Sequence, residues 1–352
     1  MKRRYAMVPG DGIGIDVTRE AVKVLTAASQ VFGFDLALEH FDFGAERYLK
    51  TGETLPDGTL ETWAGFDAIF MGAFGDPRVP DMKHAADILL GTRFRMDLYA
   101  NVRPVRCLSE RLCPLRGYAA RDVDFVVFRE NTEGAYAGIG GIFKKGTPDE
   151  IGIQEDVNTR KGVERIVRAA FEYAKTTGRK RVTMSDKSNA LRHAHDIWQR
   201  VFKEVAAGYP GIQANHLYVD ALTMQMIKDP RQFEVIVTCN MFGDIVTDLG
   251  AALQGGLGMA ASGNVHPGKT SMFEPVHGSA PKYAGTDTAN PFGAILTAGM
   301  MLEATGAPEA ATAIETAVIA SLDAKECTAD VGGSLGTRAA ADAIVARLKR
   351  AA

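Results

Sequence analysis

The sequence predicts an α/β protein with helices packed on a largely parallel sheet. Short β-rich runs alternate with longer amphipathic segments along the chain. No charge block, low-complexity tract or repeat of 20 to 50 residues interrupts the alternation. With 352 residues, 46% hydrophobic and 24% charged, the chain can bury a large core and is long enough for two domains.

The elements follow in order. Residues 4–8 form a first β-rich run, and an amphipathic helix is expected over 13–31. Further strands are expected at 68–71, 125–128, 182–184, 216–219 and 235–238. The glycine-rich, polar stretch 134–152 is the least core-like part of the middle and reads as a protruding arm.

Composition excludes several classes. Forty Lys plus Arg against 43 Asp plus Glu leave a formal charge of −3, so nothing global draws the chain to nucleic acid or an anionic membrane. The N-terminal Lys2-Arg3-Arg4 is followed by too short an apolar stretch for a signal-peptide core, and no window approaches the roughly 20 apolar residues of a membrane span. Cys107, Cys113, Cys239 and Cys327 show neither a disulfide framework nor zinc spacing, which fits a reducing cytoplasm.

Gly10, Gly12 and Gly14 follow the first strand, but Gly-Asp-Gly-Ile-Gly is not the G-x-G-x-x-G of a Rossmann turn. A tight strand-to-helix turn capped by Asp11 accounts for the motif equally well. There is no G-x-x-x-x-G-K-[ST] loop either.

The aspartates are more informative. Asp244 and Asp248, four residues apart, share one face of the helix expected after the strand 235–238. A helix cap and a solvated neighbour would explain such a pair on its own. Asp220, read as ending another strand, adds a third carboxylate where α/β proteins bind ligands, and three hard oxygen donors suit Mg²⁺ or Mn²⁺. Arg93, Arg103 and Arg129 lie near expected element ends, and a planar guanidinium grips a carboxylate in a two-pronged fashion. Together these residues call for a polyanionic, chelating substrate.

The motifs then converge. Val8-Pro-Gly-Asp-Gly-Ile-Gly14, Asp97-Leu-Tyr-Ala-Asn-Val-Arg-Pro104, Arg129-Glu-Asn-Thr-Glu-Gly134, Asp186-Lys-Ser-Asn189, Asn240-Met-Phe-Gly-Asp-Ile-Val-Thr-Asp-Leu-Gly250 and Glu274-Pro-Val-His-Gly-Ser-Ala-Pro281 occur in this order. The chain thereby resembles, over nearly its whole length, the β-decarboxylating dehydrogenase family, which includes the isopropylmalate, isocitrate, homoisocitrate and tartrate/D-malate dehydrogenases. The resemblance implies a two-domain, non-Rossmann α/β fold. Residues 1–98 and 253–352 would form a cofactor-side domain from both chain ends, and 99–252 a dimerisation and substrate domain with its arm at about 135–155.

It also implies a homodimer in which the arm clasps the partner and Lys187 and Asp220 enter the other subunit's active site. Asp220, Asp244 and Asp248 would hold the metal. Tyr136, Lys187 and Asp220 match the catalytic positions, and Arg93, Arg103 and Arg129 the carboxylate-binding ones. Gly72, Ala73 and the residues to Asp76, then His277, Gly278, Ser279, Ala280 and Asn290, match the regions that contact the dinucleotide. In the chemistry so implied, Lys187 with Asp220 removes the hydroxyl proton, hydride leaves C2, CO₂ is lost, and Tyr136 protonates C3.

Two choices rest on finer signals. Isocitrate enzymes of the family place a Ser and an Asn before the first arginine; here Leu89 and Leu90 precede Arg93, as in isopropylmalate enzymes, where burial of a branched alkyl group contributes about 1.5–3 kcal/mol. The same leucines could serve the core of any amphipathic helix. Arg129 to Gly134, Gly140-Gly141, Gln154-Glu155 and Ala190 resemble the tartrate/D-malate branch instead. The order of expectation is 3-isopropylmalate, then D-malate or tartrate, then an unusual γ-substituted malate; isocitrate and homoisocitrate remain alternatives, although an isocitrate carboxylate would face the apolar leucines. For the cofactor, Lys282-Tyr283 resembles NADP-dependent isocitrate enzymes, whereas Thr328-Ala-Asp-Val-Gly-Gly333 resembles NAD-dependent members; the balance favours NAD over NADP. A catalytically silent regulatory subunit is the alternative of a different class. It would be expected to lose the tyrosine, the lysine or a metal aspartate, and all are present.

Overall fold

The structure is a computed structural model that describes residues 2–351. In chain order, the first elements are β1 (Lys2–Gly10), α1 (Ile13–Phe32), β2 (Asp35–His40), α2 (Ala45–Thr51), α3 (Thr59–Trp63), β3 (Ala68–Ala73), α4 (Lys83–Arg95) and β4 (Ala100–Arg106). The middle of the chain gives β5 (Asp124–Glu130), β6 (Gly140–Phe143), β7 (Ile151–Gln154), α5 (Arg160–Thr177), β8 (Arg181–Asp186), α6 (Asp196–Ala206), β9 (Gln213–Tyr218), α7 (Val219–Lys228), β10 (Val235–Thr238) and α8 (Asn240–Leu253). The end adds β11 (Ala261–Val265), β12 (Ser271–Pro275), α9 (Phe292–Ala304), α10 (Pro308–Asp323) and α11 (Thr337–Ala351).

The chain forms two compact units. The first comprises Met1–Leu98, Pro104–Val123 and Ala251–Ala352, and the second Tyr99–Arg103 and Asp124–Gly250. Residues 104–123, counted with the middle segment in the sequence reading, belong to the first unit. There Leu108 and Leu112 pack on its core, Ser109 Oγ donates to Asp323 at 2.8 Å, and Arg111 donates through Nη2 to Leu322 O at 2.7 Å.

In the first unit the strands run β2-β1-β3-β12-β11. All neighbours are parallel except β11 and β12, which pair antiparallel. Successive side chains of a strand point to opposite faces, and here both faces are covered. Tyr5, Met7 and Phe70 enter a core with Val17, Leu25, Ile295, Ile314 and Ile344, drawn from α1, α9, α10 and α11. The alternating Ala6, Val8, Ile69 and Met71 enter a second core with Phe43, Trp63, Phe66 and Ile88. Two-sided burial explains why these strands read as continuous apolar runs.

In the second unit the strands run β5-β10-β8-β9, all parallel. Val126, Val182 and Val235 pack with Ile166, Phe171, Trp198 and Phe202 from α5 and α6. The Thr159 hydroxyl caps α5 by accepting from Gly162 N. β6 and β7 form a separate antiparallel ribbon whose eight residues are all exposed, with Ile142, Phe143, Ile151 and Ile153 bare on its surface. Among the described residues no helix is long and apolar enough to cross a membrane.

Two placements differ from the sequence reading. Asp220 does not end a strand: β9 stops at Tyr218 and Asp220 lies in the first turn of α7, because the extended Tyr218 leads directly into the helix with no glycine or proline between them. Arg129 does not follow its strand but lies within β5, 1% exposed.

Candidate active site

Asp244 is the centre of the second unit's polar cluster. Its Oδ1 receives the Arg129 guanidinium, and Arg103 Nη2 lies 3.4 Å from the same oxygen. Its Oδ2 accepts from the Tyr136 hydroxyl at 2.9 Å. The Arg129 guanidinium also sits 5.2 Å from the Tyr136 ring centroid, a cation–π contact. β5 supplies Arg129, β4 supplies Arg103 and the first turns of α8 supply Asp244.

Both arginines are buried and held along their length. Arg129 donates through Nε and Nη2 to Asn240 Oδ1, at 3.0 and 2.8 Å. Arg103 donates through Nε to Asn101 Oδ1 at 2.7 Å and through Nη1 to Thr247 Oγ1 at 2.6 Å. A buried guanidinium so fixed loses little further freedom when it meets a carboxylate. Gly243 makes room for one of them: a Cβ there would run into the Arg129 stem at Cγ and Cβ. Sequence spacing had assigned no role to Asn240 or Gly243, although both stand in the motif that carries Asp244.

Asp248 follows one turn later on α8 and is exposed. Desolvation and then the neighbouring Asp244 charge push its carboxyl above the usual carboxylate range. A cation between Asp244 and Asp248 would relieve the repulsion that raises Asp248, and Mg²⁺ commonly binds through one or two carboxylates with water and substrate completing its sphere. Asp220 is elsewhere, 68% exposed at its side chain, and accepts from Lys187 Nζ at 2.8 Å. That hydrogen bond holds its carboxyl below the usual range. Among the described residues no three His, Cys, Asp or Glu are grouped to hold a metal within one chain.

The first unit carries the other residues read from sequence. Asp11 N donates to Ala73 O at 2.6 Å and Ile13 N to Ser279 O at 2.8 Å, so the turn between β1 and α1 joins the end of β3 to the loop after β12. Gly12 has φ +55°, and a Cβ on it would collide with Ser279 O. Asp11 does not cap α1, as the sequence suggested. Its Oδ1 accepts from Ala45 N at 2.7 Å, and its Oδ2 from Gly75 N at 2.8 Å with His84 Nε2 also at 2.8 Å. Partners at the start of α2, in the loop after β3 and on α4 satisfy it better than one helix end.

His277 is 8% exposed, and its Nδ1 lies 3.0 Å from Gly278 O, which can only accept. The proton therefore sits on Nδ1, leaving Nε2 as an acceptor that is buried without a partner. Burial lowers the pKa of this histidine and keeps it neutral. Such an orphaned acceptor beside closely approaching backbone fits a ribose or base donor of a dinucleotide. Asn290 Nδ2 donates to Asp330 Oδ2 at 3.0 Å, and Thr328 holds the other oxygen at 2.6 Å. Gly72 and Ala73 are buried at the end of β3, whereas Gly278, Lys282 and Tyr283 are exposed and Ala280 is half-buried with φ +36°. Lys282 Nζ lies 4.7 Å from the Tyr283 ring centroid.

Arg93, near the end of α4, donates through Nη2 to Glu274 Oε1 at 2.6 Å, and Asn264 Nδ2 donates to the same oxygen at 2.8 Å. Neither Glu274 nor Asn264 was singled out from sequence as a partner of Arg93. Leu89, on the turn before Arg93, packs against the Trp63 core, while Leu90 faces a groove of about 470 Å³ with Thr54, Leu55 and Phe94.

Comparison with known proteins follows the same pattern. A family profile described as isocitrate/isopropylmalate dehydrogenase matches residues 4–344. The 3-isopropylmalate dehydrogenase of Thermobifida fusca is 47% identical over 98% of this chain and 97% of its own length. That of Streptomyces coelicolor is 46% identical over 95% and 98%. Among solved structures, isocitrate dehydrogenase from Methylococcus capsulatus superposes with a TM-score of 0.88 at 37% identity, covering 99% of each chain.

Proposed function

The chain belongs to the isocitrate/isopropylmalate dehydrogenase family, and from that premise we propose that it oxidises and decarboxylates 3-isopropylmalate with NAD and a divalent metal. The observation that carries the reaction type is Asp244, which meets two buried guanidinia and the Tyr136 hydroxyl at once. A metal carboxylate, two carboxylate grips and a proton donor are thereby gathered. The substrate assignment is supported by the relatives' names together with Leu89 and Leu90 ahead of Arg93 in the sequence.

Asp244 and Asp248, with Asp220 as third donor, would hold Mg²⁺ or Mn²⁺. Bound there, such an ion supplies Lewis-acid polarisation of the substrate's 2-hydroxyl and 2-oxo groups. Arg103 and Arg129, with Arg93, bind and orient the carboxylates so that the C–C bond that breaks is aligned. Lys187 Nζ, held by Asp220, would take the proton of the substrate's 2-hydroxyl, for which a bound nicotinamide would supply the hydride acceptor at C2. Tyr136 Oη gives its proton to C3 after CO₂ leaves.

The dinucleotide would lie against Gly72, Ala73 and His277 to Ala280, with the His277 Nε2 lone pair accepting from it. NAD is favoured because Thr328-Ala-Asp-Val-Gly-Gly333 resembles the corresponding stretch of NAD-dependent members of the family. Lys282 and Tyr283 are the residues through which NADP would bind instead. We place the active site at a homodimer interface in the cytoplasm, with Lys187 and Asp220 serving the partner. The exposed apolar ribbon supports this arrangement.

D-malate or tartrate is the second reading. It is favoured by Leu89, which turns into the core and leaves Leu90 as the one leucine facing outward. Measurement of kcat/KM over isopropylmalate, D-malate, tartrate, isocitrate and homoisocitrate decides between them. Isopropylmalate is expected to lead, and a preference for isocitrate would overturn the assignment.

A further inference from the structure

His195 is fully buried where three segments of the second unit meet. Its Nδ1 lies 3.0 Å from the backbone N of Lys187 and its Nε2 3.2 Å from Asp156 Oδ2. A backbone N–H can only donate, so Nδ1 is the acceptor and the ring proton resides on Nε2, facing Asp156. Asp156 is in turn held by Asn158 Nδ2 at 3.1 Å, and Asn158 Oδ1 accepts from the indole of the core residue Trp198 at 2.8 Å. The His195 hydrogen bond also draws the Asp156 carboxyl below its ordinary range. The third neighbour is Phe242, edge-on at 5.5 Å, two residues before Asp244 on α8.

We propose that His195 and Asp156 are positioning residues that fix the backbone of Lys187 and so aim its ammonium group. The proposal rests on the reading of Lys187 as the proton carrier. A lysine stem has several rotatable bonds, so its tip is placed only when both ends are constrained. Asp220 constrains Nζ and His195 constrains the amide. Asp156 lies just beyond β7, and the neighbouring Val157 bridges to Gly134 at the other foot of the exposed ribbon. The seating of the ribbon is thereby transmitted through Asp156 and His195 to Lys187.

The test compares His195→Leu, which removes both ring nitrogens, with His195→Asn, whose Oδ1 can accept from the Lys187 amide. In the purified enzyme with saturating NAD, Mg²⁺ and isopropylmalate, or the best substrate of the panel above, His195→Leu is expected to lower kcat by about 10- to 100-fold, as for a misaimed group. KM values stay near those of the parent. His195→Asn restores most of the loss, and exchange of the Lys187 amide proton is fast in the first variant and slow in the second. A folded His195→Leu enzyme with parental kcat, or a loss that Asn fails to rescue, overturns the proposal. Should His195→Leu not fold, Asp156→Ala decides, with a fall in kcat at constant KM supporting the proposal and an unchanged kcat overturning it. Lys187→Gln separates the levels. Full turnover in that variant removes the proton-carrier reading and the proposal with it. An inactive Lys187→Gln beside a fully active His195→Leu overturns the positioning role alone.

Discussion

The Tyr136 hydroxyl donates to Asp244 Oδ2 at 2.9 Å, while the Arg129 guanidinium occupies the opposite oxygen of the same carboxylate. One phenol therefore touches a metal-binding candidate and is also the proton donor proposed for C3. The two roles separate in Tyr136→Phe. A proton donor at C3 is worth about 10²- to 10⁴-fold, so kcat should fall by at least the lower figure with the KM for Mg²⁺ little changed. A tyrosine that merely steadied Asp244 would show the reverse, a raised KM for Mg²⁺ at nearly normal kcat. Steady-state NADH formation across a Mg²⁺ titration distinguishes them.

Asp248 sets a pH dependence on stability. Desolvation and the Asp244 charge raise its carboxyl pKa in the folded chain, so between the unfolded and folded values the native state binds more protons and stability falls as pH rises. Above that window the cost is fully present. Asp248→Asn should therefore stabilise the metal-free protein at neutral pH, by up to ~1 kcal/mol for a largely exposed like-charge contact. The gain should vanish below the ordinary carboxylate range, and Mg²⁺ should stabilise the parent more than the variant. Urea unfolding at pH 7 and pH 3, with EDTA or Mg²⁺, reads all three. EDTA should also abolish turnover of the parent.

Arg93 and Glu274 form a buried pair, 9% and 8% exposed at their side chains. Removing one partner of such a pair strands a charge at a cost of about 3–5 kcal/mol. Arg93→Ala should fall near the lower end, because Asn264 continues to donate to Glu274 Oε1. The double variant Arg93→Met with Glu274→Leu should recover much of the stability while remaining unable to bind the substrate carboxylate. Denaturant midpoints and substrate KM measured on both variants separate the structural share of Arg93 from its binding share.

The parts of the fold legible in sequence are those set by local patterning. The helix expected at 13–31 is observed as Ile13–Phe32 and the strand at 235–238 as Val235–Thr238, because an amphipathic stripe and a fully buried apolar run each have their own period. β9 misled because it is half-exposed and leads into α7 without a helix breaker, which moved Asp220 from a strand end to a helix start. At the site, the residue types stood in ordered motifs, but their partners lie far along the chain. Arg93 meets Glu274 181 positions away and Arg103 meets Thr247 144 away, while Asp11 reaches residues 34, 64 and 73 positions off. Spacing carries no information about such pairs. Gly243 was readable as a glycine in a helix, an unfavourable choice worth about 1 kcal/mol against Ala, yet only the fold shows the Arg129 stem that requires it.

The proposed sharing of one site by two chains has its own test. Lys187 pairs with Asp220 in this chain, whereas Asp244 is engaged by Arg129 and Tyr136. If the first pair serves the partner's metal carboxylates, Lys187→Ala and Asp244→Asn should each be inactive alone yet complement when unfolded together and refolded. In a mixed dimer the Lys187→Ala chain keeps its own Asp244 and receives Lys187 from the other, which completes one site. Random pairing makes half of the dimers mixed, each with one of two sites intact, so about a quarter of parental turnover should return. A site built within a single chain would give none. The same refolded mixture with Ile142→Asp and Phe143→Asp added to both chains should stay inactive, because charge on the exposed ribbon removes the apolar surface available to hold a second copy.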